Sequence, residues 1–436
     1  MSLTGKHIAI LGAGRSGRAA ALLALREGAR VSVWDLAGEG AFSDMPAGVE
    51  IHPNATAEQG GGVVSDILVV SPGIDTYGAY VAAFAANTGE VIGEVELAAR
   101  FYQGKIIGIT GTNGKTTTTD LVARILAHAG LGGTPCGNYG TPFAEVVMQP
   151  HQPAAVALEI SSFQLETIRT LHPDVAVWLN FAPDHMDRYP TVEAYRTAKL
   201  RIFENQTAQD VAVVRSGEAL PPRAARTVSF STTDSEADWF SDGHVIHCGG
   251  GTLLDMVHDT SLRGLHNAEN TMAAMAACHA LGISAATMRE ALHGYAPPPH
   301  RCELIRTLDG VEYLNDSKAT NLHALESALR SQTRPVVLIA GGKDKGLDYS
   351  ALVPLLREKA LATVTFGQIA RPLAELFGQA VRSESVATLA DAVPAARSLA
   401  PRGSVVLLSP GTSSFDQFSG YEQRGNAFRD LVHQLR

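Results

Sequence analysis

The segment GITGTNGKTTTTD, Gly108–Asp120, joins the apolar run KIIGIT to an uninterrupted helical stretch. Glycines at Gly111 and Gly114 let backbone N–H groups turn inward around a phosphate, and the helix start adds partial positive charge. In that reading Thr112, Asn113 and Thr117 complete the cradle, and Lys115 neutralises the β- and γ-phosphates. The Thr116 hydroxyl is then a ligand for Mg²⁺. The spacing departs from the common phosphate loop, because the position six before the lysine, usually glycine, is Ile109.

Two further polar groups follow apolar strands in the same region. LEISSFQLE places Glu159 at a strand end, and NFAPDHMDRYP places Asp184, His185 and Asp187 just after another. Ligands of parallel sheets collect beyond the carboxyl ends of strands, so Glu159 and His185 are expected beside the phosphate loop as metal or phosphate contacts. Asp187 is equally open to being a helix cap. RTAKLRIFEN is helical, with Lys199 and Arg201 on different faces; composition alone assigns both to a solvated charged surface. GLHNAENTMAA puts His266, Asn267 and Asn270 at a helix start, where Asn267 suits an N-cap and amide groups also suit adenine.

Near the N-terminus, Gly12-Ala13-Gly14-Arg15-Ser16-Gly17 satisfies G-x-G-x-x-G between a strand and a helix, and Asp35 ends the next strand. These residues leave two readings open: a dinucleotide site, or a turn of the same kind serving another anion. The C-terminal third offers Arg301 in HRCE, Asp316, Lys318 and Thr320 in NDSKATN, Lys343 and Lys345 in GGKDKG, and the run SPGTSSFDQFSGYEQRG. Cations placed among glycines after strand-like runs favour a carboxylate or phosphate site.

The elements that must position these groups read as three α/β segments. HIAILGAG, SGRAAALLALREGA and VSVWD form a strand, helix and strand, with a further strand in DILVVSPGI. After the helical GEVELAARFYQ, the second segment carries strands in AAVALEIS, VAVWLN and DVAVV, which alternation with helices places in a mostly parallel sheet. YAPPPHR, Tyr295–Arg301, predicts a stiff extended linker. RPVVLIAGG, ATVTFG and GSVVLLSPG are the strands of the third segment. The expected domains are residues 1–95, 96–298 and 299–436.

A net charge of −9 argues against a general nucleic-acid binder, so any positive charge needed for anionic substrates is local. Four cysteines lie far apart without a C-x-x-C pair, which fits a reducing cytoplasm. The N-terminus lacks a signal-peptide layout, and no run approaches the ~20 apolar residues of a membrane span. A cytoplasmic protein is expected.

TGTNGKT, HMDRYP, AKLRIFEN, LHNAENTMAA and NDSKATN stand in the order of the Mur ligases, which this chain resembles along its length. Those are ATP-dependent enzymes that add amino acids to the peptidoglycan precursor. HMDRY with NDSKATN and SFDQF is similar to the D-glutamate-adding branch. The resemblance implies an α/β fold of three domains: Rossmann-like, central phosphate-loop ATPase-like, and a Rossmann-like C-terminal domain. It implies ATP, two Mg²⁺ sites and a carbamate on Lys199 as cofactors. The implied substrates are UDP-N-acetylmuramoyl-L-alanine, D-glutamate and ATP, handled by a monomer without nucleic acid or membrane.

By the same resemblance, Ser16, Asp35, Ser71, Gly73, Asn138 and His185 meet the UDP substrate. Gly111 to Thr117, Asn267, Asn270, Arg301 and Asp316 meet ATP. Thr116, Glu159, His185 and the modified Lys199 hold metal, with Lys115 and Lys318 at the reaction zone. Thr320, Lys345, Ser414, Phe415 and Tyr421 hold D-glutamate, with Lys343 as the alternative to Lys345. A dehydrogenase would leave the central loop unexplained, a motor-type NTPase would leave NDSKATN unexplained, and a non-catalytic scaffold would leave the whole polar set without purpose.

Overall fold

The computed structural model describes residues 2–186, 188–262, 264–296 and 299–436. Asp187 and two linker prolines, Pro297 and Pro298, lie outside them. The chain forms two compact units, Met1–Thr260 with Asn267–Gly294, and Ser261–His266 with Tyr295–Arg436.

The first unit holds two sheets. The N-terminal one contains β1 (His7–Leu11), β2 (Arg30–Trp34), β3 (Val49–His52), β4 (Ser65–Val70) and β5 (Thr88–Gly93), in the order β3-β2-β1-β4-β5. All its pairings are parallel. From Ile8 on, β1 is apolar without interruption because both faces are covered: Ile8 and Ile10 enter one core, Ala9 and Leu11 the other. The chain leaves β1 on one side and returns as β4 on the other, which opens a crevice at the carboxyl ends of these two strands.

The second sheet comprises β6 (Lys105–Thr110), β7 (Gly132–Gly137), β8 (Ala155–Glu159), β9 (Val175–Trp178), β10 (Val211–Arg215), β11 (Arg226–Ser231), β12 (Trp239–Ser241), β13 (Val245–Cys248) and β14 (Gly251–Asp255). Their order is β14-β13-β12-β11-β10-β9-β6-β8-β7. It is mostly parallel, as the alternation of strands and helices predicts, with antiparallel pairings only where β13 meets β12 and β14. β6 lies between β8 and β9, so the chain again reverses direction at the strand that feeds the phosphate loop.

Residue 95 falls inside the helix Glu94–Ala99, which fastens the two sheets together. Glu96 is fully buried. Its carboxylate accepts the backbone N–H groups of Arg169, Thr170 and Leu171 at 2.9–3.1 Å and the Arg100 Nε at 2.9 Å. A buried charge is tolerable with that many partners. Glu94 has fewer: it accepts the Ala144 N–H at 2.6 Å, and burial pushes its carboxyl up to about 7.

The second unit carries β15 (Glu303–Leu308), β16 (Val311–Asn315), β17 (Val336–Gly341), β18 (Ala360–Phe366), β19 (Arg382–Ser385) and β20 (Val405–Leu408), ordered β15-β16-β20-β17-β18-β19. Only the β15–β16 pairing is antiparallel. β17 splits its side chains between two cores, Val337 and Ile339 on one face and Val336, Leu338 and Ala340 on the other. Among the described residues no helix is long and apolar enough to cross a membrane.

Candidate active site

The strand β6 ends at Thr110, and the turn begins at Gly111, with φ 151° and no room for a side chain. A Cβ there would come within 2.9 Å of the Leu179 Cβ. Gly114 caps the helix Lys115–His128 in the left-handed region, φ 84°, and a Cβ there would strike the Asn270 Oδ1 at 2.2 Å. The loop is clamped from β9. Asn180 accepts the Thr112 N–H on its backbone oxygen at 3.0 Å. Its side chain accepts the Asn113 N–H at 3.0 Å and donates to the Asn113 carbonyl at 3.1 Å. Thr112 Oγ1 donates to the Ala182 carbonyl at 3.0 Å.

Two lysines converge on one carbonyl. Lys115 Nζ donates to the Gly111 oxygen at 2.9 Å and to the Thr112 oxygen at 2.9 Å, while Lys199 Nζ donates to the Gly111 oxygen at 2.7 Å. Lys199 is 1% exposed, so the charged-surface assignment fails for it. Burial holds its ammonium pKa well below the usual lysine range, and the nearby Lys115 charge adds to that; Asp184 and Glu159 oppose it. Arg201 is not a solvated charge either. Its guanidinium donates to the carbonyls of Leu165 and Ile168, both at 2.8 Å.

Glu159 ends β8, 2% exposed. Its Oε1 accepts the Asn138 Nδ2–H at 2.7 Å, whereas its Oε2 is buried without a hydrogen-bond partner among the described residues. A buried carboxylate oxygen left bare costs stability unless a cation or donor reaches it. His185 follows at φ 58°, its N–H on Asp184 Oδ1 at 2.8 Å, and its ring lies between Phe163 and Tyr195 at 5.1 and 5.9 Å. Tyr195 in turn reaches Thr112 Oγ1 at 3.4 Å and lies under Lys199 Nζ at 4.8 Å.

Among the described residues no three His, Cys, Asp or Glu side chains converge as a preformed metal cage. Thr116, Glu159, His185 and Lys199 are the residues expected to hold metal; Lys199 carries an unmodified amine here, which is no ligand for Mg²⁺.

The crevice of the N-terminal sheet is lined by its glycine turn. A Cβ on Gly17 would lie 1.8 Å from the Gly12 carbonyl oxygen, which is how the helix Arg15–Arg26 approaches the strand so closely. Asp35 ties that turn together, accepting the Ala13 N–H at 2.6 Å and the Ala37 N–H at 2.8 Å. Ser71 Oγ, opposite Gly12, is buried without a hydrogen-bond partner among the described residues, and a Cβ on Gly73 would meet no described atom within 4 Å. Ser16 is half-buried in the first helical turn. Arg15 donates to the Gly140 carbonyl at 2.9 Å, in the turn that carries Asn138, and Asn138 leads to Glu159. Arg188 donates to the Ile74 carbonyl from the other side and stacks on Phe163 at 4.6 Å.

Asn267 and Asn270 are buried on the helix Leu265–Ala280, and the Asn270 amide meets Asn267 Oδ1 at 3.4 Å and Thr118 Oγ1 at 3.5 Å. The helix already begins at Leu265, so Asn267 lies within its first turn and is not the N-cap.

In the second unit Asp316 follows β16, accepting the Cys302 N–H at 3.2 Å and the Ser409 hydroxyl at 2.9 Å. Burial pushes its carboxyl up to about 7, against the opposing pull of Arg301. A cleft of about 530 Å³ brings together Lys318, Thr320, Lys343, Lys345, Ser414, Phe415 and Tyr421. Lys318 Nζ lies 3.9 Å from the Tyr421 ring centre, and Lys345 Nζ donates to the Thr320 carbonyl at 3.2 Å. Arg424, fully buried, holds the two cleft loops together by donating to Ser317 Oγ, the Ser317 carbonyl and the Thr412 carbonyl at 2.9, 2.8 and 3.1 Å. Asn180, Tyr195 and Arg424 escape sequence reasoning: Asn180 follows a strand as any turn residue does, and Tyr195 and Arg424 sit inside helices with no local signal.

Residues 109–278 match the family model described as the Mur ligase middle domain, and residues 300–411 that of the Mur ligase, glutamate ligase domain. The chain is 41% identical over 459 residues to the UDP-N-acetylmuramoylalanine--D-glutamate ligase of Myxococcus xanthus (strain DK1622), covering 100% of each. It is 40% identical to the protein of the same name from Acidobacterium capsulatum, covering 99% of this chain and 97% of that one. Among solved structures, the UDP-N-acetylmuramate-alanine ligase of Thermotoga maritima aligns with a TM-score of 0.59 at 17% identity, covering 98% of this chain and 99% of that one. A pseudomurein peptide ligase type C from Methanothermus fervidus aligns with a TM-score of 0.61 at 17% identity, covering 99% and 100%. These two likenesses concern the fold.

Proposed function

The chain belongs to the Mur ligase family, and we propose that it joins D-glutamate to UDP-N-acetylmuramoyl-L-alanine while converting ATP to ADP and phosphate. The observation that carries this reading is the meeting of Lys115 and Lys199 on the Gly111 carbonyl, beside a Glu159 oxygen without a partner. A simple phosphate loop needs only the first lysine. A second, buried where desolvation holds its ammonium pKa well below the usual lysine range, gives up its proton more readily and so is better placed to react with CO₂; the carbamate so formed is an anionic oxygen ligand.

The loop Gly111 to Thr117 and the ammonium of Lys115 receive the phosphates of ATP, with the N–H groups at the start of the helix Lys115–His128 as donors while those of Thr112 and Asn113 stay on Asn180. Asn267, Asn270, Arg301 and Asp316 complete the nucleotide contacts. Thr116, Glu159, His185 and the carbamate on Lys199 would hold Mg²⁺ at two sites, where the metal offsets charge on the transferring phosphoryl group. Ser16, Asp35, Ser71, Gly73, Asn138 and His185 bind the UDP substrate; Asp35 does so while bracing the glycine turn.

The alanyl carboxylate attacks the γ-phosphorus and displaces ADP; the amine of D-glutamate then attacks the acyl phosphate carbonyl, losing a proton and expelling phosphate. Lys318 serves that second step, and Thr320, Lys345, Ser414, Phe415 and Tyr421 hold the amino acid. The reading places the enzyme in the cytoplasm as a monomer, where ATP and UDP-linked precursors are made.

The test is phosphate release with ATP, Mg²⁺ and UDP-N-acetylmuramoyl-L-alanine, comparing D-glutamate with L-glutamate, L-lysine and L-alanine. Release with D-glutamate alone is expected. Release with one of the others in its place would reject the assignment while leaving the family intact.

A further inference from the structure

The lysine-lined cleft of the second unit holds two carboxylates as well, Asp344 and Glu422. Asp344 is turned into its own loop, where Oδ1 accepts the Gly346 N–H at 2.8 Å. Glu422 has no such commitment. It is exposed, and its carboxylate makes no hydrogen bond or ion pair among the described residues.

A glutamate in the first turn of a helix ordinarily complements the helix dipole, and Glu422 does stand in the first turn of Tyr421–Gln434. The closing of that helix start, however, falls to Gln423, whose Oε1 accepts the Ser419 N–H at 2.7 Å and the Ser419 hydroxyl at 3.0 Å. Glu422 folds back instead, and a Cβ on Gly420 would lie 3.0 Å from its Oε2. Dipole complementation alone does not require the carboxylate to share a cleft with Lys318, Lys343 and Lys345.

An acidic amino acid brings two carboxylates and one amino group. Lysines answer the carboxylates, but only an acceptor answers the amino group. We infer that Glu422 is the specificity-determining acceptor for the α-amino group of the incoming amino acid. This rests on the cleft being the D-glutamate site. Glu422 holds the nitrogen away from the three lysines, and its charge repels a dicarboxylate that lacks the amine, because nothing on that ligand answers it.

The experiment uses the full-length enzyme as wild type, Glu422→Gln and Glu422→Asp. It measures KM for D-glutamate and ATP, and the inhibition constant of glutarate, the amine-free analogue. Glu422→Gln should raise KM for D-glutamate about tenfold or more, as expected for loss of a charge-assisted hydrogen bond. It should leave KM for ATP unchanged and inhibition by glutarate as strong or stronger. Glu422→Asp, which keeps the charge, should recover most of the loss. An unchanged KM, or equal factors for D-glutamate and glutarate, would overturn the inference. A wild type that releases no phosphate with D-glutamate would remove the reading beneath it, and the inference with it.

Discussion

Replacing Asn180 by alanine should loosen the phosphate loop while leaving Lys115 and Thr116 in place. The substitution removes two side-chain hydrogen bonds, at 3.0 and 3.1 Å, to the N–H and carbonyl of Asn113; the backbone bond from Thr112 remains. Neutral bonds of this kind contribute about 0.5–1.5 kcal/mol each, so the pair is worth roughly 1–3 kcal/mol. If that energy serves to preorganise the loop for the transition state, the loss is roughly 5- to 150-fold in kcat/KM for ATP. Asn180→Asp keeps the acceptor for the Asn113 N–H, loses the donor and adds a negative charge beside the phosphates. It should therefore fall below alanine. The assay is ADP release at saturating D-glutamate and UDP substrate, with KM for D-glutamate as the internal control. An alanine variant within about twofold of wild type, well under one such bond's upper value, would refute the clamp. So would an aspartate variant more active than alanine.

Lys199→Ala should be inactive and partly rescued by added formate or acetate, whose carboxylate replaces the missing ligand; no rescue across a concentration series would argue against the carbamate. Gly114→Ala places a Cβ 2.2 Å from Asn270 Oδ1 in a left-handed position, so weakened ATP binding by calorimetry is expected. An unchanged dissociation constant would contradict the close contact. Glu94 is held up to about 7, above its ordinary value of 4.5, so the folded state binds its proton more tightly than the unfolded state does. Its contribution to stability is therefore complete below about pH 4.5 and lost as pH rises through about 7. Glu94→Gln should flatten the fall in Tm between about pH 5 and 8, and identical slopes for both proteins would contradict this.

The strand, glycine loop and helix around Lys115 were legible because three local signals agree there: an apolar run, glycines where φ is positive, and no helix breaker after Lys115. The buried place of Glu159 at a strand end was legible from the apolar run before it; a single carboxylate there is more often a helix cap, and only the nearby loop and His185 set it apart. The clamp by Asn180 was not, because an asparagine after a strand looks like any turn residue until the neighbouring loop is in place. β7, GGTPCG, carries glycine and proline where strand formers are expected, and pairing with β8 overrides that local preference. Arg424 sits in the polar run YEQRG, which reads as surface; its burial depends on loop carbonyls over 100 positions back, at Ser317, and nearby at Thr412. Lys199 shows the converse: only packing distinguishes a buried lysine from the solvated one that charge patterning predicts.

The central claim is that ATP activates the alanyl carboxylate for attack by D-glutamate. It is tested most directly by labelling that carboxylate with ¹⁸O and examining the released phosphate by mass spectrometry. Transfer through an acyl phosphate moves one carboxylate oxygen onto phosphorus, and attack by the amine breaks the bond between that oxygen and carbon. The account therefore predicts one ¹⁸O in each phosphate released, dependent on D-glutamate. Phosphate free of label would mean that water, not the carboxylate, attacks ATP, and would contradict the account.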